Sequence, residues 1–154
     1  FENKEALLAG VMHEGMQSAL RRQAAAMDSA AAAGAAAGQT LSARECLRVL
    51  VRNHLEVLLG TESDFIPVML YEWRSLSDLQ RQAVNELRRE YEAVWVPVLQ
   101  ALHDRGELQG NTSLARLMIF GALNWAVQWY DPGRKASLDD LTEASLQLFL
   151  KEST

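Results

Sequence analysis

The chain is predicted to be all-helical, a bundle of about six helices. Three observations predict this. Apolar residues recur at helical spacing almost throughout its 154 residues. No run of four to eight residues alternates apolar and polar side chains as a half-buried strand must. Start signals recur at intervals that suit helices: Asn3, Ser42 with Glu45, Ser77 with Gln80, and Ser137 with Asp140.

The first helix follows Asn3, and Leu7, Leu8, Val11, Met12, Gly15, Met16, Ala19 and Leu20 form one stripe that continues to about Met27. The stretch "AAAAGAAAG" (30–38) favours helix through alanine, but Gly34 and Gly38 weaken it, so a frayed end and a loop are expected. Ser42 and Glu45 form a capping box for a second helix that stops at Gly60. The third begins after Thr61–Asp64, takes Pro67 in its first turn, and ends near Leu76. Ser77 opens a long fourth helix with the stripe Leu79, Ala83, Leu87, Tyr91, Val94, Trp95, Val98 and Leu102, kinked by the internal Pro97. A turn at 106–111 leads to a helix over 112–130, a second turn at 131–136 follows, and Ser137 caps the last helix.

The helix over 112–130 is apolar on both sides. Leu114, Leu117, Met118, Gly121, Trp125 and Trp129 share one face; Ile119, Phe120, Leu123, Val127 and Tyr130 share the other. Such a helix wants cover on two sides, from the last helix (Leu138, Leu141, Leu148, Phe149), from a central position in a monomer, or from a second subunit. Gly121 among bulky neighbours fits a close helix approach, as in a dimeric four-helix contact. Asn124 and Gln128 are spaced i, i+4 on this apolar segment, so they form a local hydrogen-bonded pair, fix an interface register, or meet a ligand.

Composition narrows function mainly by exclusion. Fifteen Lys+Arg against 20 Asp+Glu give a net charge of −5, a surface that by itself repels a polyanion. No apolar run reaches the roughly 18 residues of a membrane span. The lone Cys46 cannot form an internal disulfide, which fits the cytoplasm. There is no GxSxG, HExxH, GxGxxG or Walker-type motif and no CxxC, so no enzymatic activity is expected. His13, His54 and His103 lie on separate predicted helices without metal-ligand spacing, and neither a metal nor a cofactor is expected. His54 shares a face with Leu47, Leu50, Val51, Leu55 and Leu58, as a hydrogen-bonded core histidine or one lining a pocket. Arg44, Arg48 and Arg52 make a row at i, i+4, i+8 that either pairs with nearby carboxylates or holds phosphates. Met12, Met16, Phe65, Met69, Trp73, Tyr91, Trp95 and Phe120 fall on inward faces of four helices, as core or as the wall of an apolar cavity.

Two stretches carry a family resemblance. "FENKEALL" (1–8) resembles the seam of the TetR family of bacterial transcriptional regulators, where an aromatic-rich end of the helix-turn-helix is followed by a polar cap, Lys, Glu and a Leu pair. "GALNWAVQWYDPGRKASLDDL" (121–141) resembles the segment closing the effector domains of a TetR subset linked to acyl-CoA and fatty-acid metabolism, and "VMLYEWRSLSDLQRQAV" (68–84) is similar to the middle of those domains. The resemblance implies a cytoplasmic effector-binding and dimerisation domain without a membrane segment. Its last two helices form a four-helix bundle with a second copy, and Leu117, Gly121, Trp125, Gln128, Leu141 and Phe149 lie in that interface. It further implies a repressor whose operator-binding helix-turn-helix precedes residue 1, with Phe1 as the last plug of that unit and Lys4 touching a DNA phosphate. Met12, Met16, His54, Met69, Trp73, Tyr91, Trp95, Phe120 and Asn124 are then expected to line the site of an apolar ligand such as a fatty acyl-CoA, with the Arg44/Arg48/Arg52 row near its phosphates. Planar aromatic effectors, or a helical interaction module with no ligand, are the competing expectations.

Overall fold

The computed structural model describes residues 3–152, so Phe1 lies outside the described residues. Every regular element among them is helical: α1 (Lys4–Ala36), α2 (Ala43–Leu59), α3 (Phe65–Glu72), a 3-10 turn (Trp73–Ser75), α4 (Asp78–Ala93), α5 (Trp95–Asp104), α6 (Thr112–Trp129) and α7 (Leu138–Phe149). The predicted N-caps form, Asn3 accepting from the Ala6 amide and Ser42 from that of Glu45, but the Ser42–Glu45 box stays half-closed because the Glu45 carboxylate pairs with Arg48. Ser77 with Gln80 and Ser137 with Asp140 close reciprocal capping boxes.

Two elements depart from expectation. Residues 28–36 continue α1 instead of fraying, because the alanines supply enough helix propensity to outweigh the roughly 1 kcal/mol cost of Gly34. The helix ends only where Gly38 takes a positive φ of 73° and the Gln39 amide returns to the Gly34 carbonyl. The long helix over 78–104 divides at Val94 into α4 and α5; taken as one kinked helix, it gives the six expected. Proline lacks the amide that would bond four residues back, so Pro97 leaves the Ala93 carbonyl without a helical partner and itself falls into the first turn of α5.

Helix α2 is the hub. It packs against α1, α5, α6 and α7, and Leu47, Leu50, Val51, Leu55 and Leu58 are buried in a core shared with Met12, Trp95, Leu99, Leu102 and Ile119. On α4 the inward face is carried by Val84, Leu87 and Tyr91, while Leu79 and Ala83, expected in the stripe, are exposed. Leu79 precedes Val84 by five residues, a rotation of about 140° away from that face.

Carboxylates take up the arginine row. Arg44 bonds Glu107, Arg48 bonds Glu143 and Glu45, and Arg52 bonds Asp139 and Glu56, which ties α2 to α7 and to the chain near Lys151. The exposed pairs of Arg48 and Arg52 are each worth roughly 0–1 kcal/mol, whereas the Glu107 carboxylate bound to Arg44 is buried. The pairs link α2 to α7 and occupy the row, so that a phosphate there would have to displace a carboxylate.

Gly15 marks the closest approach of α1 to α3. A Cβ there would stand 2.3 Å from Cγ of Phe65. Gly15→Ala is therefore expected to destabilise the fold by about 1–3 kcal/mol although alanine is the better helix former. A thermal midpoint that rises in this variant would show that Phe65 gives way freely.

Candidate ligand cavity and its polar floor

A cavity of about 870 Å³, partly open to solvent, lies between α1, α2, α3, α4 and α6. Its size is in the range of small-molecule sites, roughly 300–1,000 Å³. Apolar side chains from three helices wall one side: Met16 and Ala19 of α1, Val57 and Leu58 of α2, and Phe65, Ile66 and Met69 of α3. Of the residues expected to line a site, Met16, His54, Met69, Tyr91, Phe120 and Asn124 reach this cavity. Met12 and Trp95 are fully buried in the core beside it, and Trp73 sits half-buried in the 3-10 turn.

The floor is polar and ordered. His54 bonds through Nδ1 to the Tyr91 hydroxyl (2.8 Å) and through Nε2 to Oδ1 of Asn124 (2.7 Å). With Asn124 presenting its carbonyl oxygen, Nε2 carries the proton and donates, and Nδ1 accepts from the phenol. Asn124, an exposed residue among those lining the cavity, is thus held by His54 and not by Gln128. The imidazole is packed edge-on against Phe120 (5.2 Å between centroids) and Trp95 (5.8 Å). Burial with no carboxylate partner pushes the His54 pKa down from 6.5 to about 4, a shift opposed by the bond to Asn124. Burial likewise raises that of Tyr91.

This fixes a pH dependence. The unfolded histidine takes up a proton near 6.5 and the folded one only near 4, so between these values the unfolded state binds more protons and stability falls as pH falls. The full effect, reached below about pH 4, is about 3 kcal/mol, and above 6.5 the group contributes no pH dependence. Urea melts of wild type and His54→Gln across pH 4.5 to 7.5 should differ in slope, the variant losing less on acidification. Parallel slopes would contradict a buried neutral imidazole.

Beneath the floor, Gln23 joins α1 to the break between α4 and α5. It is 1% exposed; its Nε2 donates to the Tyr91 carbonyl (3.0 Å), and its Oε1 accepts from the Trp95 indole (2.7 Å). Sequence reasoning passed over Gln23, yet it was visible as the polar residue continuing the Met12, Met16, Ala19 register. It also passed over the polar part of the cavity's lining, Arg88 and Arg89 of α4 and Ser113 and Arg116 of α6. Arg116, the one charge in residues 112–130, was the available signal.

The two faces of α6 separate as the wheel indicates. Ile119, Phe120 and Leu123 are buried, whereas Leu114, Leu117, Met118, Trp125 and Trp129 are exposed, Trp125 by 65% and Met118 by 72%. A Cβ on Gly121 would meet nothing within 4 Å, and Gln128 lies on the same open side. Leu141 and Phe149 are half-buried on α7. Lys4 is exposed at the start of α1.

The chain is thus an all-helical bundle with a partly open apolar cavity, an imidazole-centred polar cluster at its wall and one uncovered apolar helix face. The family described as tetracyclin repressor-like, C-terminal domain, matches residues 40–152, and the chain belongs to it, placing it among TetR-family transcriptional regulators. Solved structures agree on the fold. The chain is similar to superantigen PfiT (28% identity, TM-score 0.81, covering 98% of this chain and 75% of that one). It is similar to a TetR-family transcriptional regulator from Bordetella parapertussis (26%, TM-score 0.76, covering 97% and 72%). It also superposes on AibR in complex with isovaleryl coenzyme A and operator DNA (16%, TM-score 0.76, covering 97% and 76%). No curated protein matches significantly. No helix among the described residues is long and apolar enough to cross a membrane.

Proposed function

We propose that this chain is the effector-binding and dimerisation part of a cytoplasmic TetR-family repressor, whose ligand occupies the cavity between α1 and α6 and changes the spacing of two DNA-binding heads. The observation that carries the proposal is the cavity itself: a helical module with no ligand would fill this volume, whereas here about 870 Å³ stands beside the α1 lever. Gln23 couples that lever to the backbone of Tyr91, whose ring forms the floor, so a ligand that displaces Tyr91 or Asn124 pulls directly on α1. Only differential affinity for two states does this work, about 1–3 kcal/mol in typical cases. Met16, His54, Met69, Tyr91, Phe120 and Asn124 contact the ligand, while Met12, Trp73 and Trp95 support the wall from behind. Lys4 contacts a DNA phosphate next to a helix-turn-helix that precedes this chain.

The ligand is an apolar molecule such as a fatty acyl-CoA. An opening to solvent suits a chain entering from outside, and the isovaleryl coenzyme A bound to AibR supports the same class. Thermal shift with short, medium and long acyl-CoAs beside planar aromatic effectors tests it. A ligand at a hundred times its Kd stabilises by about 2.7 kcal/mol. Stabilisation by the aromatic compounds with none from any acyl-CoA would overturn the acyl assignment.

A further inference from the structure

The cavity is lopsided in charge. Its inner wall is apolar, but Arg88 and Arg89 of α4 and Arg116 of α6 also line it, with a single carboxylate among the lining residues, Glu92. Arg116 pairs with Glu92 across the gap between the two helices, and Arg88 lies 3.6 Å from the same group. Among the described residues, Arg89 has no carboxylate within ion-pair distance. Three guanidinium groups against one carboxylate leave two positive charges uncompensated there, on a chain whose net charge is −5. The Ser113 hydroxyl sits one turn from Arg116 at the same end.

Resting on the cavity reading above, we infer that the ligand is an amphiphile whose acidic head, a carboxylate or a phosphate, is held by Arg88, Arg89 and Arg116 while its chain runs inward along α6. The row on α2 has no part in this, being tied to α7. Guanidinium forks match both oxyanions in geometry, and a head at the rim keeps part of its hydration. Asn124 lies eight residues beyond Arg116 on α6, about 12 Å along the axis. The head is therefore read at one end, and the chain passes Phe120 to reach the floor at the other.

The test compares decanoate, decyl phosphate, decanoyl-CoA and the neutral decanol for binding to wild-type protein by calorimetry, at low and high salt. The acidic probes should bind about tenfold or more tightly than the alcohol, with an advantage that shrinks as salt rises. Preference among the acids separates a carboxylate head from a phosphate. In Arg89→Gln and in the triple variant Arg88→Gln, Arg89→Gln, Arg116→Gln, the advantage should fall stepwise toward the alcohol's affinity. Arg89 carries no ion pair, so its single variant tests the reading even if the triple one fails to fold. Equal affinity of acid and alcohol for wild type, or a salt-independent preference unchanged in Arg89→Gln, would sink the head-group assignment and leave the cavity reading standing. Failure of every probe to bind would end both the head-group assignment and the acyl-chain reading on which it rests.

Discussion

Replacing Trp95 by alanine is expected to cost about 4–5 kcal/mol. The side chain is fully buried, its ring lies 4.5 Å from that of Phe120, and its indole N–H is the partner of Gln23. Loss of a buried tryptophan costs about 3–5 kcal/mol through lost transfer energy and the cavity left behind. An orphaned buried amide oxygen adds about 1–3 kcal/mol when no water replaces the indole, though relaxation recovers part of the sum. In a protein of this size the thermal midpoint should fall by roughly 10–15 °C. Trp95→Phe should restore most of the packing and leave mainly the hydrogen-bond loss, so the difference between Trp95→Phe and wild type isolates the Gln23 bond, and that between the two variants the packing of the ring. A midpoint for Trp95→Ala within a degree or two of wild type, roughly the effect of a surface change, would refute the role given to this residue.

Charging the open face of α6 should dissociate the proposed dimer. Leu117 and Trp125 are both more than half exposed and lie on one side with Gly121 and Gln128. About a two-fold axis, each substitution enters the interface twice, so Leu117→Glu with Trp125→Glu places four carboxylates in what would be a desolvated apolar contact. A tryptophan anchor alone is commonly worth about 2 kcal/mol or more, roughly thirtyfold in Kd. Sedimentation equilibrium should report a dimer for wild type at roughly tens of micromolar and a monomer for the double variant, with helical content retained. A monomeric wild type would refute the assignment of this face. These substitutions leave the core untouched, whereas Trp95→Ala destroys packing within one subunit.

The sequence made the class of the fold legible through local signals. Each cap acts within four residues of itself, and the apolar faces of α2 and α6 follow from the 3.6-residue period, so both were readable before any tertiary contact was known. The same locality accounts for the errors. The end of α1 depends on a contest between a run of alanines and one glycine about 1 kcal/mol poorer in helix propensity, and the inward stripe on α4 misses Leu79 because Pro97 divides the helix at a point that periodicity does not show.

The candidate site was legible in part. His54, Tyr91 and Phe120 stand out on apolar faces and Asn124 as an amide on an apolar segment, but their meeting brings together positions up to 70 residues apart. No periodicity contains that information. The arginines show the limit most plainly. Arg44, Arg48 and Arg52 form the conspicuous pattern along one helix, yet α7 and the turn after α5 set carboxylates against them; Arg88, Arg89 and Arg116 form no linear pattern, yet α4 and α6 bring them to one cavity. By itself the sequence determined which residues are helical and which face of each helix is apolar, because those properties are fixed by neighbours a turn away. Which charges are neutralised, which polar groups meet, and where space is left between helices were decided only by the tertiary structure, because each depends on helices distant in sequence arriving at the same place.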